Sequence, residues 1–137
     1  LITPNLDEVS VLVGEKITTV DQMLPAGEKI ISMGTAAVLV KGGHLDQEEL
    51  VSYLIQKELP YESFTTMRVQ TKNMHGSGCT LSSAIASFLA QGFTLSESVG
   101  KAQKYVEQAI IGSSDLVIGK GNGPLNHFFD PQKLIKR

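Results

Sequence analysis

Residues 73–80 read NMHGSGCT, and this segment decides the predicted fold. It precedes the clearest amphipathic helix of the sequence, in which apolar residues recur at helical spacing until Gly92. These apolar residues are Leu81, Ala84, Ile85, Phe88 and Leu89. A glycine-rich turn that opens a helix leaves the first N–H groups of the helix unpaired, and such groups bind anions. The segment therefore predicts a phosphate-binding helix start in a layered α/β fold.

Capping residues predict two helices in the first third of the chain. Asn5 is a predicted N-cap, and the apolar residues after it repeat at helical spacing as far as Gly14, a typical C-cap residue. A second helix is predicted within residues 20–33, because Thr19 and Gln22 have the spacing of a capping box. Pro25 either kinks this helix or lies at its first position.

The last third of the chain predicts further helices. Thr94 and Glu97 have capping-box spacing and open a helix that ends near Gly112. A glycine-rich loop, residues 119–123, follows it with the sequence GKGNG. Asp130 before Pro131 predicts the start of a last short helix.

Strands are predicted between these helices. Residues 36–40 form an apolar run typical of a strand covered on both faces, and residues 1–3 are predicted to end another strand. Residues 50–55, the surroundings of Phe64 and residues 67–70 are weaker strand candidates around the turn-like Pro60. Helices that alternate with strands favour an α/β fold with a mostly parallel sheet, in which sites lie at the carboxyl ends of strands.

Composition narrows the classes of function. The chain has 137 residues, the size of one domain, and a net charge of −2 without a basic cluster, which argues against nucleic acid as a partner. No apolar run is long enough to span a membrane. Cys79 is the only cysteine, so an internal disulfide is excluded and a reducing cytoplasm is expected. The N-terminus lacks signal-peptide features and is interpreted as entering a longer chain partway through.

The helix start at residues 76–79 carries the predicted chemistry. Gly76 and Gly78 flank Ser77 and allow the backbone to approach a phosphate closely. Cys79 follows at a helix N-terminus, where a thiolate is favoured and is suited to act as a base. An ordinary glycine-rich turn with a serine N-cap, and an inert buried cysteine, remain open as alternatives. His75 is either a phosphate contact or a structural hydrogen-bond partner.

Four further residues are candidates for cofactor contacts. Asn5 and Glu8 are spaced to place a carboxylate in the first turn of a helix, where it orders the waters around Mg²⁺ or serves only as part of a cap. Lys41 at a strand end and Lys120 in the glycine-rich loop are suited to a transferring phosphate, although lysines in such positions are often simply solvated.

The order of these motifs resembles a known family. Residues 3–8, 38–44, 73–81 and 119–128 are similar to the second half of hydroxymethylpyrimidine/phosphomethylpyrimidine kinases, the thiamine-pathway members of the ribokinase-like superfamily. The segment HGSGCT at residues 75–80 is the most specific part, since most of the superfamily has aspartate where this group has cysteine. The resemblance implies a ribokinase-like layered fold, incomplete here, in which residues 1–137 are the carboxyl-terminal part of a single kinase domain.

The resemblance also implies functions for individual residues. ATP with Mg²⁺ would phosphorylate the hydroxymethylpyrimidine and then its monophosphate. Residues Gly76, Ser77 and Gly78, with the N–H of Cys79, would form the anion hole, and Cys79 would act on the acceptor oxygen. Lys41 would contact phosphate, Asn5 and Glu8 would hold Mg²⁺ through water, and Lys120 and Gly121 would lie near the nucleotide.

The sequence departs from the family pattern at several positions. Met74 and Ser77 replace threonines that are usual in the family, and Glu49–Leu54 lacks an aspartate that often precedes a strand there. The first half of the family sequence, which holds most of the pyrimidine pocket, is absent. The 137 residues are therefore expected to bind the acceptor poorly on their own.

Two other interpretations remain open. A pyridoxal kinase is built on the same scaffold, and specificity for the ring depends on the missing half. A nucleotide-binding relative without turnover is the second alternative, although Lys41, Glu8 and Cys79 together argue against it. A homodimer is also open, since many relatives are dimers.

Overall fold

The computed structural model describes residues 1–43 and 48–131, which form two compact units. The first unit is Leu1–Arg68 and the second is Val69–Arg137. The elements of the first unit are α1 (Leu6–Val13), a 3₁₀ helix (Val20–Gln22), α2 (Met23–Ser32), β1 (Ala37–Lys41), β2 (Glu49–Gln56) and β3 (Glu62–Met67). Those of the second unit are α3 (Ser77–Ala90) and α4 (Leu95–Ile111).

Helix α1 begins and ends where its capping residues predict. The side chain of Asn5 accepts the N–H of Glu8, and the Glu8 carboxylate accepts the N–H of Asn5. Gly14 ends the helix in the left-handed conformation with φ 76°, a region that favours glycine. The apolar residues of α1 face the core, and Leu6, Val9 and Val13 are buried.

The second predicted helix divides into two parts. Oε1 of Gln22 accepts the N–H of Thr19 at 3.1 Å, which fixes the start of the 3₁₀ helix as the capping-box spacing predicts. Helix α2 then begins at Met23, so Pro25 lies in its first turn. A first-turn N–H has no partner within the helix, and a proline there leaves no hydrogen bond unmade.

The three strands pair in the order β1-β2-β3, and both pairs are antiparallel. The prediction of a mostly parallel sheet therefore does not describe these strands. The connections at residues 42–48 and 57–61 are too short for the crossover of about a dozen residues that parallel neighbours require. Parallel pairing occurs instead along β1, where bridges join Ile2 to Val38 and Asn5 to Lys41. The segment predicted to end a strand at residues 1–3 thus runs alongside β1.

The core of the first unit lies between α1, α2 and one face of the sheet. Val38 and Val40 of β1 and Ile55 of β2 are buried there among apolar residues of both helices. Gly27 allows α2 to approach the sheet, since a Cβ at this position would lie 2.1 Å from Cδ1 of Ile55. All residues from Ala37 to Val40 are buried, as the prediction of a strand covered on both faces requires.

The second unit is built on α3 and α4, which pack against each other. Leu81 and Ile85 of α3 are buried, whereas Leu89, at the end of the predicted apolar stripe, is 41% exposed. Helix α4 starts with the predicted capping box, in which the Glu97 carboxylate accepts both the N–H and the hydroxyl of Thr94. It ends at Gly112, as predicted.

Some predictions fall outside the described residues or are only partly met. The last helix after Asp130 lies beyond the described range, as does His44. Strand β3 ends at Met67, so residues 68–70 are not part of it. Among the residues that the structure describes, no helix has the length and apolar character needed to cross a membrane.

Candidate functional site

The start of α3 has the geometry of an anion site. Gly76 is the N-cap, with φ 86° and ψ 1°, and its carbonyl oxygen accepts both the N–H and the hydroxyl of Thr80 at 2.9 Å. Within residues 1–43 and 48–131, the N–H groups of Gly78 and Cys79 have no backbone acceptor. Two adjacent donors at the positive end of a helix dipole attract negative charge.

Ser77 is the first residue of α3 and not its cap. The serine N-cap of the alternative is therefore wrong, because the left-handed conformation of Gly76 turns the chain into the helix; whether the turn binds an anion stays a prediction. The N–H of Ser77 donates to the carbonyl of Met74 at 3.2 Å. This bond holds the turn closed and leaves the next two N–H groups as the donors of the site.

Cys79 lies at the third position of α3 and is exposed. The part of the alternative that has the cysteine buried is thus wrong, and the role of the thiol stays a prediction. The thiol lines a cavity of about 430 Å³ between α3, α4 and the segment after the glycine-rich loop. Its other lining residues are Thr80, Ser83, Ala84, Ser87, Phe88, Tyr105 and His127.

Tyr105 and His127 form one wall of this cavity, and sequence reasoning missed them. Their rings are stacked with centroids 6.4 Å apart and an interplanar angle of 19°. The tyrosine oxygen lies 3.4 Å from Nδ1 of His127. Phe129 also packs against Tyr105, with ring centroids 5.2 Å apart and an interplanar angle of 56°. The wall is flat, aromatic and partly polar, which suits a planar ligand.

A second cavity, of about 640 Å³, holds the glycine-rich loop. Lys120 and Gly121 line it together with Asn73 and Lys72. Cys79 does not line this cavity, so the predicted nucleotide contacts and the predicted catalytic thiol lie in separate cavities of the second unit. The segment 73–79 links the two, since Asn73 lines one and Cys79 the other.

The backbone before α3 is tied to the end of the glycine-rich loop. His75 donates its N–H to the carbonyl oxygen of Gly123 at 3.1 Å and bridges in parallel to Pro124. The imidazole of His75 does not line either of these cavities. The structural hydrogen bond of His75 is therefore made by its backbone N–H.

The remaining predicted residues belong to the first unit, where the parallel bridge sets Asn5 beside Lys41. Asn5 and Glu8 cap α1 through a reciprocal pair of bonds at 2.7 and 2.9 Å, as the capping alternative states. The bond from Asn5 uses Oε2 of Glu8, and the exposed carboxylate retains lone pairs on both oxygens. Such a group fits Mg²⁺ held through water, since this ion keeps several of its waters.

Gly42 follows Lys41, the last residue of β1, and packs closely against β2. A Cβ at Gly42 would lie 2.3 Å from the backbone oxygen of Val51, so no other residue fits without moving the strand. The described residues contain no cluster of three or more His, Cys, Asp or Glu side chains that could hold a metal. An Mg²⁺ here would depend on one carboxylate, water and a phosphate-bearing ligand.

Comparison with known proteins gives a consistent picture. The sequence profile of the family described as phosphomethylpyrimidine kinase matches residues 1–126. The hydroxymethylpyrimidine/phosphomethylpyrimidine kinase of Escherichia coli K12 is 40% identical over 129 residues, which cover 93% of this chain and 48% of the relative. The chain thus spans about half the length of this relative.

The chain also resembles solved kinase structures over slightly less than half of their length. The ADP complex of Bacillus subtilis pyridoxal kinase superposes with a TM-score of 0.83 at 33% identity, over 92% of this chain and 47% of that one. The phosphomethylpyrimidine kinase of Clostridium difficile 630 gives a TM-score of 0.64 at 40% identity, over 80% of this chain and 42% of that one. These neighbours confirm the ribokinase-like α/β fold, of which the chain covers a part.

Proposed function

Because the chain belongs to the phosphomethylpyrimidine kinase family, we propose that it supplies the phosphate-binding and catalytic part of an ATP-dependent kinase. The acceptors are 4-amino-5-hydroxymethyl-2-methylpyrimidine and its monophosphate, in thiamine biosynthesis. The observation that carries the proposal is the start of α3, where Gly76 in the left-handed conformation leaves two adjacent N–H donors next to an exposed Cys79.

The helix start acts on the phosphoryl group in transfer. Charge on its oxygens is stabilised by fixed donors, and the N–H groups of Gly78 and Cys79 are held by a rigid helix. Ser77 contributes its position in the turn, since its own N–H is bonded to Met74. Gly76 and Ser77 therefore shape the turn of the anion hole, and the backbone N–H groups of Gly78 and Cys79 are its donors.

Cys79 acts on the acceptor. Its side chain is exposed beside the anion hole, where the acceptor hydroxyl must lie to attack a phosphoryl group held by the same helix start. Cys79 receives the hydroxyl proton or orients the hydroxyl. A general base typically contributes about 10²–10⁴-fold to the rate.

The contacts with Mg²⁺ and ATP are assigned to five residues. Asn5 and Glu8 would hold Mg²⁺ through water, and the ion would neutralise phosphate charge. Lys41 is assigned to a phosphate contact. Lys120 and Gly121 contact the nucleotide from the glycine-rich loop, whose cavity they line.

We assign the acceptor pocket to an amino-terminal half that completes the kinase domain, of which residues 1–137 are the carboxyl-terminal part. The chain spans only about half the length of its relative from E. coli.

Pyridoxal phosphorylation is the second candidate. The B. subtilis pyridoxal kinase superposes more closely, with a TM-score of 0.83, whereas the phosphomethylpyrimidine kinase of C. difficile is more similar in sequence, at 40% identity. The family profile and the E. coli relative favour the pyrimidine.

The test uses the whole kinase, that is, the chain together with its amino-terminal half. ATP consumption is measured with the pyrimidine monophosphate and with pyridoxal, for wild type and for Cys79→Ala. We expect turnover with the pyrimidine, a fall of about 10²–10⁴-fold in the variant, and unchanged ATP affinity because the backbone donors remain. Unchanged turnover in Cys79→Ala would reject the role of the thiol. Turnover with pyridoxal alone would select the second candidate, and turnover with neither would favour a binding protein.

A further inference from the structure

We infer that Asn73 is a positioning residue that holds the glycine-rich loop, residues 119–123, beside the start of α3 and thereby sets the affinity for ATP. The inference rests on the function proposed above, in which the loop contacts the nucleotide. Asn73 itself is not assigned a contact with ATP. It acts through the backbone that carries Lys120 and Gly121.

Asn73 is a buried polar residue with a specific set of partners. It is 6% exposed, and its amide Nδ2 donates to the carbonyl oxygens of Ser113 and Leu116, the latter at 2.8 Å. These carbonyls belong to the segment that leads from the end of α4 into the loop. A buried amide that satisfies two carbonyls fixes their positions, because leaving either one unpaired is unfavourable.

The other end of the loop packs on the same side chain. A Cβ at Gly123 would lie 1.9 Å from Oδ1 of Asn73 and 2.7 Å from its Cγ. The three atoms nearest to that Cβ all belong to the Asn73 side chain. The backbone of Gly123 therefore lies directly against the amide, and only glycine fits there while Asn73 is in place.

A backbone hydrogen bond also joins the segment 73–75 to the end of the glycine-rich loop. His75 donates its N–H to the carbonyl of Gly123 at 3.1 Å. The hydroxyl of Ser113 donates to the carbonyl of Ile110 at 2.8 Å and lies 3.5 Å from the carbonyl oxygen of Asn73. The segment 73–75 thus contacts the chain on both sides of the loop and continues directly into the anion hole. Lys120 and Gly121 lie between these two attachments and share a cavity with Asn73.

These contacts fix the position of the glycine-rich loop relative to the start of α3. The side chain of Asn73 has no charge to offer a phosphate, yet its removal would unpair two carbonyls before the loop and take away the packing against Gly123 after it. Misplacement of a binding group by about 1 Å is enough to cost about 100-fold in the reaction. The loss should fall on ATP, because the acceptor pocket is assigned to the other half of the kinase.

The first test compares Asn73→Asp with wild type in the whole kinase. Aspartate has nearly the same shape but no N–H donors, so it opposes two carbonyl oxygens with a carboxylate. We expect KM for ATP to rise by about 10–100-fold while KM for the pyrimidine stays unchanged. Thr94→Ala is the control, since it removes a cap at the opposite end of α4 and should lower Tm without changing KM for ATP.

The second test uses the close contact with Gly123. Gly123→Ala alone should raise KM for ATP, because its Cβ collides with the Asn73 amide. In an Asn73→Ala background the same Cβ has room, so the added effect of Gly123→Ala should disappear. Such non-additivity is expected of residues that are in contact or otherwise coupled, and not of distant, independent sites. If Asn73→Ala or the double variant fails to fold, Gly123→Ala and Asn73→Asp each still test the inference.

Direct ATP binding separates this inference from the proposed function. Calorimetric titration with ATP needs no turnover. Weaker ATP binding by Asn73→Asp would support the inference even if wild type phosphorylates no pyrimidine. An unchanged dissociation constant in Asn73→Asp, purely additive effects at residues 73 and 123, or no ATP binding by wild type would each overturn it.

Discussion

At the scale of single residues, the conformation of Gly76 matters more than its lack of a side chain. Nothing lies within 4 Å of a Cβ built at Gly76, so space does not require glycine there. The positive φ of 86° does, because L-residues with a side chain are strained in that region. The backbone angle aims the N–H groups of the following residues.

Gly76→Ala should therefore weaken both folding and anion binding. We expect a loss of about 1–2 kcal/mol in the free energy of unfolding and weaker ATP binding, because relief of the strain rotates the donors. Thermal unfolding and calorimetric titration with ATP measure the two effects.

Gly92→Ala is the matched control for this prediction. Gly92 follows the other end of α3 with φ 92° and also has open space around a Cβ. It should lose similar stability and keep its ATP affinity. Equal loss of ATP affinity in both variants would mean that strain, and not the aim of the donors, explains the result.

At the scale of elements, the stability that the capping box gives to the start of α4 depends on pH. The hydroxyl of Thr94, followed by its backbone N–H, donates to Glu97 and lowers the pKa of this carboxyl below its usual value of 4.5. Lys101 adds a smaller effect in the same direction. A carboxyl with a lowered pKa in the folded state stabilises the protein above the unfolded pKa, and this contribution is lost as the pH falls through the folded pKa.

The stability of the chain should therefore fall in part through Glu97 as the pH is lowered below 4.5. Glu97→Gln cannot titrate, so its free energy of unfolding should depend less on pH in this range than that of wild type. Urea unfolding at a series of pH values, with circular dichroism as the readout, measures the difference. Parallel curves for the two proteins would show that the cap does not couple to protonation.

At the scale of the whole molecule, the proposal assigns the anion hole to this chain and the acceptor pocket to an amino-terminal half, and this assignment can be tested. The chain carries the proposed anion hole, so on its own it should bind ATP but show little or no turnover with the pyrimidine. Addition of the amino-terminal half, in one chain, should restore turnover. Robust kinase activity of residues 1–137 alone would contradict the assignment of the acceptor pocket to the other half.

Much of the local structure could be predicted from the sequence. Asn5 and Gly14 delimit α1, and Thr94 and Glu97 start α4, because caps act within a single turn of chain. The glycine-rich start of α3 was predictable for the same reason, since it depends on a left-handed glycine and the unpaired donors after it. The separate cavity of Lys120 was not, because it depends on how the loop folds back.

The sequence by itself thus determined the ends of α1, the start of α4 and the glycine turn before α3, all of which arise from interactions between residues close in the chain. Only the tertiary structure decided the antiparallel order of the strands, the exposure of Cys79 and the pairing of Tyr105 with His127. It also joined Asn73 to Ser113, 40 residues further along the chain. Contacts over such separations leave no periodic signal, because they are selected by the packing of the whole unit and not by any local preference.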